Sequence, residues 1–142
     1  MTLTADRRTE LLAACHLFGG VSQNDLAAIG ERALEVDFTS GQVIARQGEI
    51  GTGLFVIVEG AVRVVRDGNE LARLGPGDFF GELSVIDGLP RVAQVVASEP
   101  TRCLALASWE FERLALDHPT IGLAILRALS ARLRTLTESA QH

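Results

Sequence analysis

The sequence predicts a mainly β fold, a double-stranded β-helix or jelly-roll-like β-roll, with helices at both ends. Two observations support it. The apolar pattern has helical spacing over residues 5–33, changes to short runs of branched residues over 34–107, and is helical again over 108–139. Glycines separate the short runs, as turns separate strands. No tandem repeat or polar linker divides the 142 residues, so we expect one domain over residues 1–142.

The helical lead-in, residues 5–33, contains two helical stretches interrupted by a pair of glycines. Ser22 precedes the second stretch, and Asp25 follows three residues later. A serine N-cap with an acidic residue at the third helical position is typical of a helix start, because both satisfy free amide groups. We therefore expect a second helix that begins after Ser22 and ends near Ala33.

The β region, residues 34–107, is read from its alternation of apolar runs and turns. Asp67-Gly68-Asn69 separates two such runs and predicts a hairpin, because glycine and asparagine tolerate the positive φ of tight turns. The other strand-like runs are residues 43–44, 54–58, 61–65 and 92–97.

Two helices are expected after the β region. Ser108 is the predicted N-cap of a helix that starts at Trp109 and ends at Asp117, and Pro119 suits the first turn of a final helix that reaches about Ser139. We expect Trp109 to pack in the interior. Part of an apolar stripe on the final helix should cover the roll. The stripe consists of Ile121, Ile125, Leu126, Leu129, Leu133 and Leu136.

Composition and charge exclude several classes of protein. A net charge of −5 argues against a nucleic-acid surface on this chain. The N-terminus is charged, and no apolar run approaches about 20 residues, so we expect a cytoplasmic protein with no membrane association. Cys15 and Cys103 lie far apart without metal-ligand spacing, which indicates buried thiols in a reducing compartment.

Enzyme chemistry is not indicated by the sequence. The three histidines fall in or next to helical regions and cannot form the imidazole cluster that a metal-binding β-barrel enzyme places on its strands. There is also no plausible nucleophile arrangement and no glycine-rich P-loop. We expect no catalytic residues, no metal site and no cofactor.

The most informative segment runs from Phe79 to Val95 and interrupts the β pattern. Gly81 to about Ile86 can form a short helix whose N-terminal amides attract an anion such as phosphate. Arg91 follows a turn and can offer a planar fork of donors to phosphate oxygens. A carboxylate would be repelled by phosphate, so Glu82 is expected to face a neutral hydroxyl such as a ribose 2′-OH. Together these groups predict binding of a sugar phosphate.

Less specific interpretations of the same residues remain open. Glu82 and Arg91 could form a surface ion pair, which contributes little to stability. The side chain of Ser84 could cap a turn or face solvent while only its backbone amide contacts a ligand. Phe79 and Phe80 are expected to be strand residues, with at least one in the core, because adjacent strand positions point to opposite faces.

Gly81-Glu82-Leu83-Ser84, followed after six residues by Arg91-Val92-Ala93, resembles the phosphate-binding cassette of the cyclic-nucleotide-binding domain family. This family includes cAMP receptor proteins and protein kinase regulatory subunits, and the resemblance covers about residues 10–137. It implies that Glu82 holds the ribose 2′-hydroxyl, Arg91 pairs with the cyclic phosphate, and amides near Leu83 and Ser84 complete the site. The implied ligand-binding residues are Gly81, Glu82, Leu83, Ser84, Arg91, Val92 and Ala93.

The resemblance also implies a regulatory ligand and a mode of output. The ligand would be a 3′,5′-cyclic purine nucleotide, cAMP before cGMP, because Val92 lacks the hydroxyl that guanine-selective relatives tend to present there. In relatives the final helix closes over the base, near positions matched by Thr135 and Thr137, and in transcription factors it also forms a dimer interface. The implied partners are an effector protein or a second copy of the chain, through the final helix.

Three interpretations of function follow from these residues. The first is a sensor module that binds cAMP and signals through its C-terminal helices. The second is the truncated effector domain of a Crp/Fnr-type transcription regulator, whose DNA-reading half lies outside this sequence. The third is an interaction domain of the same fold that binds no nucleotide. A β-barrel metalloenzyme is a more distant alternative.

Overall fold

The computed structural model describes residues 2–51, 53–81 and 89–140. Four α-helices and one short 3-10 helix lie within these residues, together with eight strands. The helices are α1 (Ala5–Ala13), the 3-10 helix (His16–Phe18), α2 (Gln23–Arg32), α3 (Ser108–Asp117) and α4 (Pro119–Ala140). The strands are β1 (Leu34–Phe38), β2 (Val43–Ala45), β3 (Gly53–Glu59), β4 (Val62–Arg66), β5 (Asn69–Leu74), β6 (Phe79–Phe80), β7 (Gln94–Ala97) and β8 (Thr101–Ala107).

The strands form two antiparallel sheets of four strands each. The first sheet has the order β1-β8-β3-β6, and the second has the order β2-β7-β4-β5. Except for the β4–β5 hairpin, neighbours within a sheet are distant in sequence, as a jelly-roll winding requires. The predicted fold class, a β-roll with helices at both ends, is confirmed.

The two central strands of the first sheet, β3 and β8, are buried on both faces, because residues of alternate orientation pack against different layers. Val56 of β3 and Leu104 of β8 lie in the cluster that this sheet forms with the helices. Their sequence neighbours, Ile57 of β3 and Cys103 of β8, lie in the cluster between the two sheets. Strands β3 and β8 are therefore held from both sides.

Helix α4 covers the protein with only part of its apolar stripe. Ile121 and Ile125 are buried in the helix-side cluster, together with Leu17 and Phe18 of the 3-10 helix. Toward the C-terminal end, Leu133 is exposed. The expectation that part of the stripe packs on the protein is thus confirmed, and the remainder lies on the surface. None of the described helices is long and apolar enough to span a membrane.

Local sequence signals are confirmed at one helix N-terminus and at one hairpin. The side chain of Ser22 accepts a hydrogen bond from the amide of Asp25, so it is the N-cap of α2 as expected. The predicted hairpin joins β4 and β5, but its positive-φ residues are Asp67 and Gly68, at 52° and 82°, whereas Asn69, which was expected to share this conformation, is the first residue of β5. Gln47 holds Asp67 in this conformation: its amide nitrogen donates to Oδ1 of Asp67 over 2.9 Å, and its side-chain oxygen accepts from the Asp67 amide over 3.1 Å.

Two expectations about helix α3 are wrong. Ser108 is its first helical residue, and the N-cap is Ala107, which makes no side-chain capping hydrogen bond. Trp109 is 65% exposed and does not pack in the interior. The start of α3 is fixed by the end of β8 and by the packing of Leu114, which is buried, so Trp109 falls on the outer side of the helix.

Helix α2 is tied to both ends of α3 by polar contacts. Arg32 lies 2.7 Å from Glu110, and Nδ1 of His118 lies 2.9 Å from a carboxylate oxygen of Asp25. The hydroxyl of Thr120 donates to the other oxygen of Asp25. This hydrogen bond, with His118 alongside, holds the pKa of Asp25 below its ordinary value. The contacts fix the junction between α3 and α4 against α2.

Both cysteines are buried and unpaired. Burial raises the pKa of Cys15 to about 11 and that of Cys103 to about 12, because a thiolate is poorly solvated in the core. The interpretation of both residues as buried thiols is confirmed.

Candidate functional site

Strand β6 is the first part of the segment from Phe79 to Val95 that the sequence singled out. Phe79 and Phe80 pair with Val56 and Phe55 of β3, and both rings are buried. Phe79 belongs to the helix-side cluster and Phe80 to the cluster between the sheets. The expectation that at least one phenylalanine enters the core is confirmed, and in fact both do, on opposite faces.

Gly81 follows these two residues in a backbone conformation that favours glycine. Its φ is +89°, and a Cβ built on it would lie 2.6 Å from the carbonyl oxygen of Gly53 and 2.9 Å from Nη1 of Arg91. A side chain here would meet both a strained backbone angle and fixed backbone atoms. Gly81 therefore allows the chain to pass close to the start of β3.

The backbone of Arg91 is held by two hydrogen bonds. Its amide donates to the carbonyl of Glu49 over 2.7 Å, and its carbonyl accepts from the amide of Gly48 over 2.8 Å. Next to this pair, Ile50 and Pro90 form an isolated antiparallel bridge. The chain preceding β7 is thus attached to the turn between β2 and β3.

The guanidinium of Arg91 lies among backbone atoms of residues that lack side chains. Nη2 donates to the carbonyl oxygen of Gly53 over 3.2 Å. A Cβ built on Gly51 would lie 2.5 Å from Cζ of Arg91, and one built on Gly81 would lie 2.9 Å from Nη1. We call these three glycines, Gly51, Gly53 and Gly81, together with Gly48 and Glu49, which hold the Arg91 backbone, the Arg91 cradle.

An aromatic row lies inside the roll beside the cradle. The rings of Phe55 and Phe80 are stacked with centroids 5.0 Å apart, and Phe38 meets Phe55 edge-on at 6.1 Å. The ring of Phe55 is 3.6 Å from where a Cβ of Gly53 would be. The cradle therefore combines a cationic group with an adjacent apolar wall, as binding sites for small anions with an organic part require.

The structure brings two of the seven predicted site residues together and describes four of the seven in all. Gly81 and Arg91 come together, with Nη1 of Arg91 next to the backbone of Gly81. Val92 is 59% exposed, and Ala93, which is half-buried, follows on the way to β7. Glu82, Leu83 and Ser84 lie outside the described residues, as does the expected short helix from Gly81 to about Ile86. The assignment of these seven residues as ligand contacts stays a prediction.

Sequence reasoning missed Gly51 and Gly53 as parts of the site. The sequence pattern marks both only as glycines that separate strands. A signal was present, since residues 48–53 read Gly-Glu-Ile-Gly-Thr-Gly, and three glycines within six residues exceed what one turn needs. Their contact with Arg91 joins residues about 40 positions apart, which no local pattern reveals.

The chemistry of the cradle suits recognition of phosphate. Arginine carries five N–H donors in one plane and remains charged at physiological pH, so it binds oxyanions through two parallel hydrogen bonds. Across the described part of the chain, no three His, Cys, Asp or Glu side chains lie close enough together to hold a metal ion.

Thr135 and Thr137, which the family resemblance places near a base, lie on α4. Their hydroxyls donate to the carbonyls of Ala131 and Leu133 within the same helix. Both residues are exposed. Such internal hydrogen bonds are common for helical threonines.

Comparison with known proteins identifies relatives with this fold. Residues 35–118 match the model of the cyclic nucleotide-binding domain. The CRP-like cAMP-activated global transcriptional regulator of Mycobacterium tuberculosis is 35% identical over 130 residues, which is 88% of this chain. A cyclic nucleotide-gated potassium channel of Rhizobium etli is 35% identical over 126 residues, or 89% of this chain. The crystal structure of Thermus thermophilus catabolite activator protein superposes with a TM-score of 0.81 at 31% identity, over 89% of this chain.

The matched regions are parts of longer relatives. The chain spans 58% of the Mycobacterium tuberculosis regulator, 35% of the Rhizobium etli channel and 62% of the Thermus thermophilus structure. A regulator of transcription and a potassium channel thus share the region that this chain resembles.

Replacing Gly81 should destabilise the protein. We expect Gly81→Ala to lower the free energy of unfolding by about 1–3 kcal/mol, because the methyl group meets the Gly53 carbonyl and the positive φ is unfavourable for alanine. Gly75→Ala is the matched control, since a Cβ at Gly75 has nothing within 4 Å. Urea denaturation measures both, and equal midpoints for the two variants would contradict the close approach at Gly81.

Proposed function

Because this chain belongs to the cyclic nucleotide-binding domain family, we propose that it is a sensor that binds a 3′,5′-cyclic purine nucleotide, cAMP in preference to cGMP. The proposed role is regulatory binding without catalysis, in the cytoplasm. The regulator named as cAMP-activated and the channel named as cyclic nucleotide-gated support a regulatory role.

The observation that carries this proposal is the position of Arg91. Its guanidinium is held in the cradle beside Gly81, at the start of the segment with the cassette-like sequence. In the proposed complex, Arg91 binds the cyclic phosphate, amides near Leu83 and Ser84 complete the phosphate site, and Glu82 accepts a hydrogen bond from the ribose 2′-hydroxyl.

Signalling is proposed to run through helix α4. The guanidinium of Arg132 on this helix lies 4.3 Å from the ring centroid of Phe79, a cation–π contact. Phe79 is two residues before Gly81, so a change at the phosphate site can reach α4 through β6. A ligand shifts the helix arrangement only as far as it binds one arrangement more tightly than another.

A homodimer through α4 is the proposed assembly. Leu126, Leu129, Leu133 and Leu136 follow the alternating three- and four-residue spacing of a coiled-coil seam. Three of them are more than 60% exposed, at 65%, 66% and 62% for Leu126, Leu133 and Leu136. A second copy of α4 would cover this seam, whereas an effector protein is the other partner that the seam suits.

A second candidate is the effector domain of a Crp/Fnr-type transcription regulator. The match to the Mycobacterium tuberculosis regulator favours it, because 88% of this chain aligns with part of a transcriptional regulator. In this case the sensor chemistry is the same and the output is DNA binding by another part of the protein. The gene sequence beyond the codon for His142 distinguishes the two, since this candidate requires a helix-turn-helix there.

Cyclic nucleotide binding should depend on Arg91. We expect cAMP at about 100 times its Kd to stabilise the wild-type protein by about 2.7 kcal/mol. Arg91→Leu should weaken binding about ten- to hundredfold, because charge-assisted hydrogen bonds to phosphate are lost. Arg63→Leu and Arg66→Leu on β4 serve as controls and should leave the affinity unchanged. Isothermal titration calorimetry measures the Kd for cAMP of all four proteins. No binding by the wild type, or an equal loss of affinity in all three variants, would refute the proposal.

Base preference should depend on Val92. A valine side chain cannot accept a hydrogen bond from the 2-amino group of guanine, so bound guanine would lack a partner that a threonine hydroxyl would supply. Adenine carries no amino group at that position. We expect the wild type to prefer cAMP and Val92→Thr to shift the affinity ratio toward cGMP, as measured by competition with a fluorescent nucleotide. A wild-type preference for cGMP, or no shift in the variant, would show that Val92 does not set the choice of base.

Dimerisation should depend on the α4 seam. We expect the wild type to sediment as a dimer at micromolar concentration and the double variant Leu126→Glu, Leu133→Glu to sediment as a monomer, because charges at seam positions repel and lose their solvation. Leu116→Glu is the matched control, since Leu116 is 81% exposed but lies on α3. A monomeric wild type, or a double variant that stays dimeric, would contradict the α4 interface.

A further inference from the structure

Gly51 lies in direct contact with the guanidinium of Arg91. A Cβ built on Gly51 would lie 2.5 Å from Cζ and 2.6 Å from both Nε and Nη2. Gly51 is itself buried. The guanidinium therefore occupies the space that any side chain at position 51 would need.

Backbone conformation does not explain a glycine at this position. Two glycines of the cradle, Gly48 and Gly81, do have positive φ angles, of +86° and +89°. Gly51 is not among the positive-φ residues, so its backbone angles are open to residues with side chains. What distinguishes Gly51 is the close approach of Arg91.

Gly53 provides an internal comparison within the same short segment. A Cβ built on Gly53 would have its nearest contacts at 3.6–3.8 Å, to the ring of Phe55 and the carbonyl of Leu106. These are ordinary van der Waals distances. A methyl group is therefore accommodated at position 53, whereas at position 51 it overlaps the guanidinium.

We propose that Gly51 is a positioning residue for Arg91: by lacking a side chain, it lets the guanidinium pack against its backbone and donate to the Gly53 carbonyl. The consequence is that Gly51 sets the affinity for the cyclic phosphate, and this part of the inference rests on the proposed function. The orientation of a planar donor fork decides whether it meets a phosphate with two hydrogen bonds or one.

The effect of a side chain at position 51 should be local. The backbone of Arg91 is held by its two hydrogen bonds to Glu49 and Gly48, so a methyl group on Gly51 displaces the side chain of Arg91 and not its backbone. The overlapped atoms belong to the far end of this side chain, and moving them breaks the hydrogen bond to the Gly53 carbonyl. Gly51→Ala should therefore lower stability only through the displaced guanidinium.

The test compares Gly51→Ala with Gly75→Ala in the full chain, using cAMP as the probe; Gly75 lies outside the cradle, and a Cβ there has nothing within 4 Å. We expect Gly51→Ala to raise the Kd for cAMP about tenfold, the effect of a misaligned charge-assisted hydrogen bond, while Gly75→Ala remains close to the wild type. In an Arg91→Ala background, Gly51→Ala should cause no further loss of affinity. Equal losses from the two glycine variants, or a loss that persists without Arg91, would overturn the assignment.

A second measurement separates this inference from the proposed function. Thermal unfolding of ligand-free wild type, Gly51→Ala, Arg91→Ala and the double variant forms a double-mutant cycle that needs no nucleotide. We expect coupling, because the methyl group at position 51 meets a guanidinium only when Arg91 is present. If the wild type binds no cyclic nucleotide, the proposed function fails while coupling still supports the positioning of Arg91 by Gly51. Additive shifts in the unfolding temperature would overturn the positioning role itself.

Discussion

The close packing of the Arg91 guanidinium against backbone that carries no Cβ is the constraint on which the candidate site depends. Three stretches of chain meet there: the turn between β2 and β3, the start of β3, and the residue after β6. Each presents a glycine to the guanidinium. Among the described residues, these backbone contacts, including the hydrogen bond to the Gly53 carbonyl, order a long cationic side chain, which reduces the entropy that a bound phosphate would otherwise have to remove.

The roll holds these stretches in place because strand β3 is buried on both faces. Residues of β3 pack alternately against the helices and against the second sheet, and β6 is paired to β3 beside them. The helices share one of these clusters, and Arg132 of α4 adds a contact to Phe79 of β6. The site and the C-terminal helix therefore meet on the same strand. This arrangement gives the proposed signal a short physical route.

Features set by neighbouring residues could be predicted from the sequence. The β-roll, the Ser22 cap and the Asp67-Gly68 turn follow from local pattern, and the spacing after Gly81 singled out Arg91. Features set by packing could not. The exposure of Trp109 depends on how α3 is rotated, and the role of Gly51 depends on a contact with a residue 40 positions away. A glycine required by steric approach looks, in sequence, like a glycine required by a turn.

A crystal structure of the chain with cAMP tests the phosphate site most directly. The account predicts that the cyclic phosphate lies within hydrogen-bond distance of the Arg91 guanidinium, which remains packed between Gly51 and Gly81 and still donates to the Gly53 carbonyl. A nucleotide whose phosphate is bound elsewhere, or an Arg91 side chain that has left the cradle to reach it, would contradict the account.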